Sequence, residues 1–210
     1  MMYRPTVIVP PVDQPVSLSE AKDHLGFPSS TTAHDNKTQG YLDAATDYCQ
    51  NWQNRTYFTT TLEFTYRSWP CGWNRPYLNG DMVLPRATPL QSVTSIIWKD
   101  QSGSATTMDP STYLVDTDSQ PGAIVLPYGQ AWPSSALYPV NPIRVRYIAG
   151  HGAQSPPIPF SPSIKQAILF MVGHLFANRE GVTIGTLMES KEMVMSVAAF
   201  LGSDSEPNSF

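Results

Sequence analysis

Read as hydrophobic against polar positions, the chain falls into three stretches. From Ser17 to about Asn54, apolar residues recur every three to four positions, the period that lays one stripe along an α-helix. From Tyr57 to Ile148 the period drops to two, among Thr, Val, Ile, Tyr and Trp punctuated by Pro and Gly, as in short strands joined by turns. The helical period returns at Ile164. The pattern predicts an α+β protein: a small bundle of about four helices with a large antiparallel β insertion between the second and third.

The residues through Pro15 include Pro5, Pro10 and Pro11 and predict an extended arm without regular packing. Ser17-Leu18-Ser19-Glu20 then reads as a capping box: the Ser17 hydroxyl can take the third helical N–H while Glu20 reaches back to the Ser17 N–H. Val16 staples onto Ala21, the stripe Leu18, Ala21, Leu25 follows, and Gly26 stops the helix. Asp35 is the expected cap of a longer helix to about Asn54, with Tyr41, Ala44, Ala45, Tyr48, Cys49 and Trp52 on its buried face.

Strands are predicted over Thr61–Ser68, Met82–Leu84, Leu90–Lys99, Tyr113–Asp116, Ala123–Leu126 and Ile143–Ile148. Leu90, Ser92, Thr94, Ile96 and Trp98 should share one face, and the segment DTDSQPG should close a hairpin between the fourth and fifth strands. In the last strand Ile143, Val145 and Tyr147 lie on one side and Arg144 and Arg146 on the other. Those two arginines either meet an acidic partner or form a solvated strand face. The loop WPCGWNRPYLNGD offers Trp69, Trp73 and Tyr77 as partner contacts, for stacking on a sugar or base, or for loop packing or a subunit contact, which is the plainer reading.

Beyond Ala149-Gly150-His151-Gly152, read as a tight turn, and a proline-rich linker, Ile164, Ala167, Ile168, Met171, Val172, Leu175 and Phe176 form a full core stripe. On the other side Gln166, Phe170, Gly173 and Ala177 make a second strip. Glycine inside a helix costs about 1 kcal/mol relative to Ala, so Gly173 points to close approach by another helix, either in this chain or in a second subunit. Ser190 is the expected cap of a last helix carrying Met193, Val194, Val197, Ala198 and Leu201. The resulting division is an arm over 1–16, a helical core over 17–56 and 160–202, a β-rich insertion over 57–149 and a polar tail over 203–210.

Charge narrows the function. With 13 basic and 17 acidic residues the net charge is -4, which argues against a protein that grips nucleic acid through its phosphates. Charged residues are only 14% and prolines number 20, a surface of the kind that neighbours cover in an assembly. Cys49 and Cys71 read as two free thiols of a reducing compartment, MMYRPTVIVPP is no signal peptide, and Ile164–Phe176 is too short to span a bilayer. His24, His34, His151 and His174 show no metal-ligand spacing, and no GxSxG, Walker A or GxGxxG stretch occurs. Asp100, Asp109, Asp116 and Asp118 sit in turns, where aspartate caps the backbone. Asn54-Arg55-Thr56 reads as a helix end entering a strand. No catalytic residue, metal or cofactor is expected, and the protein is not read as an enzyme.

In chain order, VSLSEAKDHLGF, YLDAATDYCQNWQNRTYFTTTLEF, LPRATPLQSVTSIIWKD, IRVRYIAGHG and PSIKQAILFMVGHLFANRE together resemble the head-to-tail connector (adaptor, or head-completion) proteins of tailed bacteriophages, over roughly residues 16 to 180. The resemblance implies a structural virion protein, assembled in the host cytoplasm as a twelvefold ring that bridges the capsid portal to the tail. DNA would pass through its channel without sequence-specific binding. Its partners would be further copies of itself, the portal and a tail-completion or tail protein, with no membrane. Gln166, Phe170, Gly173 and Ala177 are then the candidate subunit interface, and Trp69, Trp73, Tyr77, Arg144 and Arg146 the candidate partner contacts. The other reading of the chain is a tail or baseplate binding module that recognises a glycan or another virion protein.

Overall fold

The computed structural model describes residues 4–28, 30–70, 80–152, 160–178 and 197–202. The chain divides into two compact units, Met1–Asp13 with Arg55–Ile158, and Gln14–Asn54 with Pro159–Phe210. The fold is α+β, with antiparallel sheets inserted between the second and third helices.

In the helical unit, α1 spans Leu18–His24. The capping box forms as the sequence predicts: the Glu20 N–H donates to the Ser17 hydroxyl at 3.2 Å and the Ser17 N–H donates to the Glu20 carboxylate at 2.8 Å. Val16 and Ala21, the stapling pair, are both buried. Helix α2 spans Asp35–Gln53 and ends at Asn54 in the left-handed conformation. His34, not Asp35, occupies the cap position, without a side-chain cap bond. The Asp35 carboxylate is drawn instead to the buried Lys22 ammonium at 2.7 Å, an ion pair that ties α1 to the start of α2. Helix α3 spans Pro162–Ala177, opened by proline in its first turn, and buries Ile164, Ala167, Ile168, Met171 and Val172. Residues 197–202 are also helical, with Val197 and Leu201 buried. The expected cap at Ser190 and the tail over 203–210 lie outside the described residues.

The face that α2 buries is turned from the predicted one. Thr38, Leu42, Ala45 and Cys49 are inside, while Ala44, Tyr48 and Trp52 are exposed. Aromatic residues count as apolar in a periodicity, yet their polar tips tolerate the surface, so the stripe is misplaced by part of a turn.

In the β unit, the strands are β1 (Thr6–Val9), β2 (Thr60–Tyr66), β3 (Met82–Val83), β4 (Leu90–Lys99), β5 (Ala105–Thr107), β6 (Leu114–Asp116), β7 (Ala123–Val125) and β8 (Ile143–Ala149). They form a five-stranded sheet ordered β1-β2-β8-β4-β5 and a three-stranded sheet ordered β3-β7-β6, with every pairing antiparallel. The predicted hairpin is β6–β7. The N-terminal arm differs from expectation, because its Thr6–Val9 stretch pairs with β2 as an edge strand. Edge positions tolerate flanking prolines, which is why Pro5 and Pro10 do not prevent pairing.

One core joins the two sheets: Leu62, Leu90, Ile96, Ile143, Val145 and Tyr147 from the larger, Met82 and Ile124 from the smaller, with Leu84 just past β3. Burying each such side chain stabilises by about 1.5–3 kcal/mol. Two of the tyrosines at this core donate to backbone carbonyls: Tyr66 to the Val83 carbonyl at 2.6 Å and Tyr147 to the Pro85 carbonyl. Burial pushes both phenols well above their ordinary range.

Strand β4 departs from simple alternation. Its register against β8 shifts between Leu90 and Ser92 and again between Val93 and Ser95, each shift adding one residue. Leu90 and Ile96 are buried, but Ser92 and Thr94 are exposed, and Val93 takes the inward side between the two bulges. The predicted shared face of Leu90, Ser92, Thr94, Ile96 and Trp98 is therefore broken twice and restored at Ile96.

The turn after β8 is locked by backbone contact. Gly150 has φ +107 and the Phe58 carbonyl oxygen lies 2.2 Å from where a Cβ would sit, so only glycine fits. The Gly150 N–H donates to Pro89 at 2.8 Å, the His151 N–H to Tyr57 at 2.9 Å, and the Gln91 amide reaches the Gly150 carbonyl at 2.6 Å.

Candidate functional site

The β unit places Arg144 and Arg146 on the outward face of the five-stranded sheet, opposite Thr65 and Glu63 of β2. Arg146 donates from Nε at 3.2 Å and Nη2 at 2.8 Å to the same Glu63 oxygen, and Arg144 Nη1 lies 3.9 Å from the other. The acidic group the two arginines meet inside this chain is thus Glu63. Both remain about 40% exposed, at 39% and 42%, so each keeps donors available to a further partner.

Trp69 does not present an open ring. It stacks on Trp132 with centroids 5.0 Å apart and planes at 11°, and Trp132 Nε1 donates to the Gly80 carbonyl at 2.8 Å. One ring face is used inside the chain, which leaves little platform for a sugar. Trp69 Nε1 is buried and has no hydrogen-bond partner among the described residues. Beside the pair is an open depression of about 570 Å³, bordered by Pro70, Leu126, Gln130 and the fully exposed Tyr128. Trp73 and Tyr77 lie outside the described residues.

On α3 the second strip is partly covered by its own unit. A Cβ on Gly173 would lie 3.4 Å from His24 Nε2 of α1, so the close approach read from the sequence is made there. Phe170 meets the His24 ring edge-on at 6.3 Å and stacks on Phe200 at 5.5 Å, though 44% of it stays exposed. Gln166 and Ala177 are exposed. The four candidates share one helix side, but only its ends face solvent freely.

Sequence reasoning missed two surfaces. Tyr48 and Trp52 stack on each other along the outside of α2, 6.3 Å apart at 26°, with 37% and 53% exposed. Val7, Ile8 and Val9 of β1 are all exposed as well. In each case the signal was present but was assigned to core or arm.

The titratable groups are dispersed. Among the described residues no three His, Cys, Asp or Glu gather closely enough to hold a metal. His34 packs on Phe27 at 5.2 Å, and His174 lies against Asn178 at 3.1 Å. Asp100, Asp109 and Asp116 each accept bonds from following serines and are held below the usual carboxylate range by them. Burial pushes the Cys49 thiol up to about 12, which makes it an inert core group.

No family model matches the chain, and no curated protein matches its sequence. Solved structures do. A chain described under "Neck of empty GTA particle computed with C6 symmetry" is similar with a TM-score of 0.69 and 20% identity, covering 100% of this chain and 98% of that one. One under "Neck of native GTA particle computed with C12 symmetry" has a TM-score of 0.68 and 18% identity, with the same coverage. A third, from "Virion of native gene transfer agent (GTA) particle", has a TM-score of 0.65 and 17% identity over 97% of each chain. The likeness extends through both units and establishes a shared fold.

Proposed function

We propose that this chain is a structural protein of a phage-like virion neck, whose copies form a ring that joins the capsid portal to the tail and leaves a central passage for DNA. The observation that carries the reading is the end-to-end likeness to chains from gene transfer agent necks, which leaves almost no part of either chain unmatched. The surface supports it independently. Val7, Val9, Tyr48, Trp52, Leu114 and Tyr128 are exposed on separate elements, and such apolar patches mark surfaces that neighbours cover. A cyclic assembly needs two different faces of one subunit to meet, so several patches fit a ring better than a single patch would. The net charge of -4 fits a passage to which DNA does not adhere.

Mass photometry of the purified protein, alone and with its portal, tests the reading. A closed ring is expected, twelvefold if the C12 neighbour is a guide, and the ring should survive only while neighbouring copies are intact. A protein that stays monomeric both alone and with its portal would overturn it.

A further inference from the structure

Charge is unevenly laid out on this chain. Strand pairing puts Glu63 and Thr65 of β2, Arg144 and Arg146 of β8, and Ile97 of β4 on the outward face of the five-stranded sheet. Alternation adds Lys99, two residues beyond Ile97. Three of the chain's 13 Lys and Arg are therefore here with one of its 17 Asp and Glu, leaving ten basic against 16 acidic residues elsewhere. The face is positive by two and the remainder negative by six.

The outside of α2 has the opposite character. Asp43, Ala44, Asp47, Tyr48 and Trp52 are exposed along it. Asp43 accepts from the Gln14 amide at 3.1 Å and the Gln39 amide at 2.8 Å, and Asp47 from the Asn51 amide at 2.8 Å, so these bonds orient the carboxylates without neutralising them. Acidic groups beside open aromatic rings form the chemistry a guanidinium prefers: it binds carboxylates through paired N–H donors and lies over ring faces.

We propose that the cationic sheet face of one copy seats on the outside of α2 in the neighbouring copy, with arginines against Asp43 and Asp47 and over Tyr48 and Trp52. This contact rests on the ring reading above and supplies its two unlike surfaces. The sheet face already holds a carboxylate in this way, since two nitrogens of Arg146 converge on one Glu63 oxygen. Glu63 also occupies the place where a phosphate would approach, and the acidic remainder of the chain repels a polyanion, which favours a second copy over DNA as the occupant.

Sedimentation velocity of full-length protein across a salt series tests this, with circular dichroism confirming that each variant is folded. Arg144→Glu with Arg146→Glu should weaken self-association by about tenfold or more, and Asp43→Lys with Asp47→Lys should do the same. The four changes combined should restore it, and wild-type association should weaken as salt rises. Should the sheet-face pair fail to fold because Glu63 loses its partners, the α2 pair alone carries the test. Rings that form unchanged in the α2 variant would overturn this contact while leaving the ring reading in place. Wild-type protein that never associates, with or without its portal, would remove both. Loss of duplex DNA binding in Arg144→Glu/Arg146→Glu with assembly intact would overturn the proposal and reassign the face to nucleic acid.

Discussion

The two units use their apolar residues differently. In the β unit they are gathered inward: β8 alternates buried and half-buried positions without a break, and Tyr66 and Tyr147 at the core have partnered hydroxyls. In the helical unit, α2 and α3 each carry an apolar line outside the core face. On α3 the line is met by His24 and Phe200 of the same unit, whereas on α2 Tyr48 and Trp52 stack on each other, with no further ring partner among the described residues. Two strips with the same signature in sequence thus have opposite outcomes. A small or aromatic residue off the core face signals contact, but its partner is decided by which helix ends come to rest beside it.

The sharpest break of this contrast is in the closed unit. Gly150→Ala should cost about 3 kcal/mol or more, because an added methyl meets the Phe58 backbone at a φ disfavoured for L-residues, and thermal unfolding would read the loss. Gly173 tests the covered strip. Gly173→Leu should cost about 2 kcal/mol by displacing His24, whereas Gly173→Ala makes only ordinary contact there and should stabilise by up to about 1 kcal/mol. A destabilising Gly173→Ala would mean that α1 seats more tightly than the structure has it.

A pH effect of about 1 kcal/mol, small because the group is largely solvated, is expected at α1. The Ser17 backbone N–H, and after it Lys165, hold the Glu20 carboxyl down at about 2 from an ordinary 4.5. Its folded-state pKa is depressed, so its contribution is complete above 4.5 and is lost as pH falls toward 2. Denaturant midpoints of wild type should fall through that window more than those of Glu20→Gln. The smallest effect belongs to the open strip: Trp52→Ser should leave monomer stability within about 0.5 kcal/mol of wild type in urea unfolding.

Much of this was legible in the chain, for local reasons. The capping box, the β4 span, the β6–β7 hairpin and the core line of α3 are each fixed by residues close in sequence, so their patterns survive folding. What was not legible depends on distant partners. Pairing of Thr6–Val9 is decided by an edge more than 50 residues away, and Asp35 lost its expected role because Lys22 offers it a stronger, charged partner. Among the candidate contacts, Arg144 and Arg146 were placed on the correct strand side, but Glu63 between them follows only from strand register. The second sheet, ordered β3-β7-β6, could not be foreseen from strands of two and three residues.

The two register shifts in β4 have a consequence for how this gene can vary in length. From Leu90 to Trp98 the strand uses nine residues to follow the seven of Ile143 to Ala149. Losing a codon past the second shift, where no residue is surplus, would turn the residues that follow it to the other face, sending Trp98 to solvent and Lys99 into the core if Ile97 were lost. Losing Gln91 or Thr94, singly or together, would only remove a bulge and leave every remaining side chain facing as it does now. The surplus residues are not equivalent, however. Gln91 reaches the Gly150 carbonyl and the Thr59 hydroxyl, so its deletion would also release the turn that closes β8, while Thr94 is the cheaper of the two to lose. A single deletion at Thr94 should therefore be tolerated, one at Gln91 should loosen the turn after β8, and one past Ser95 should break the core face.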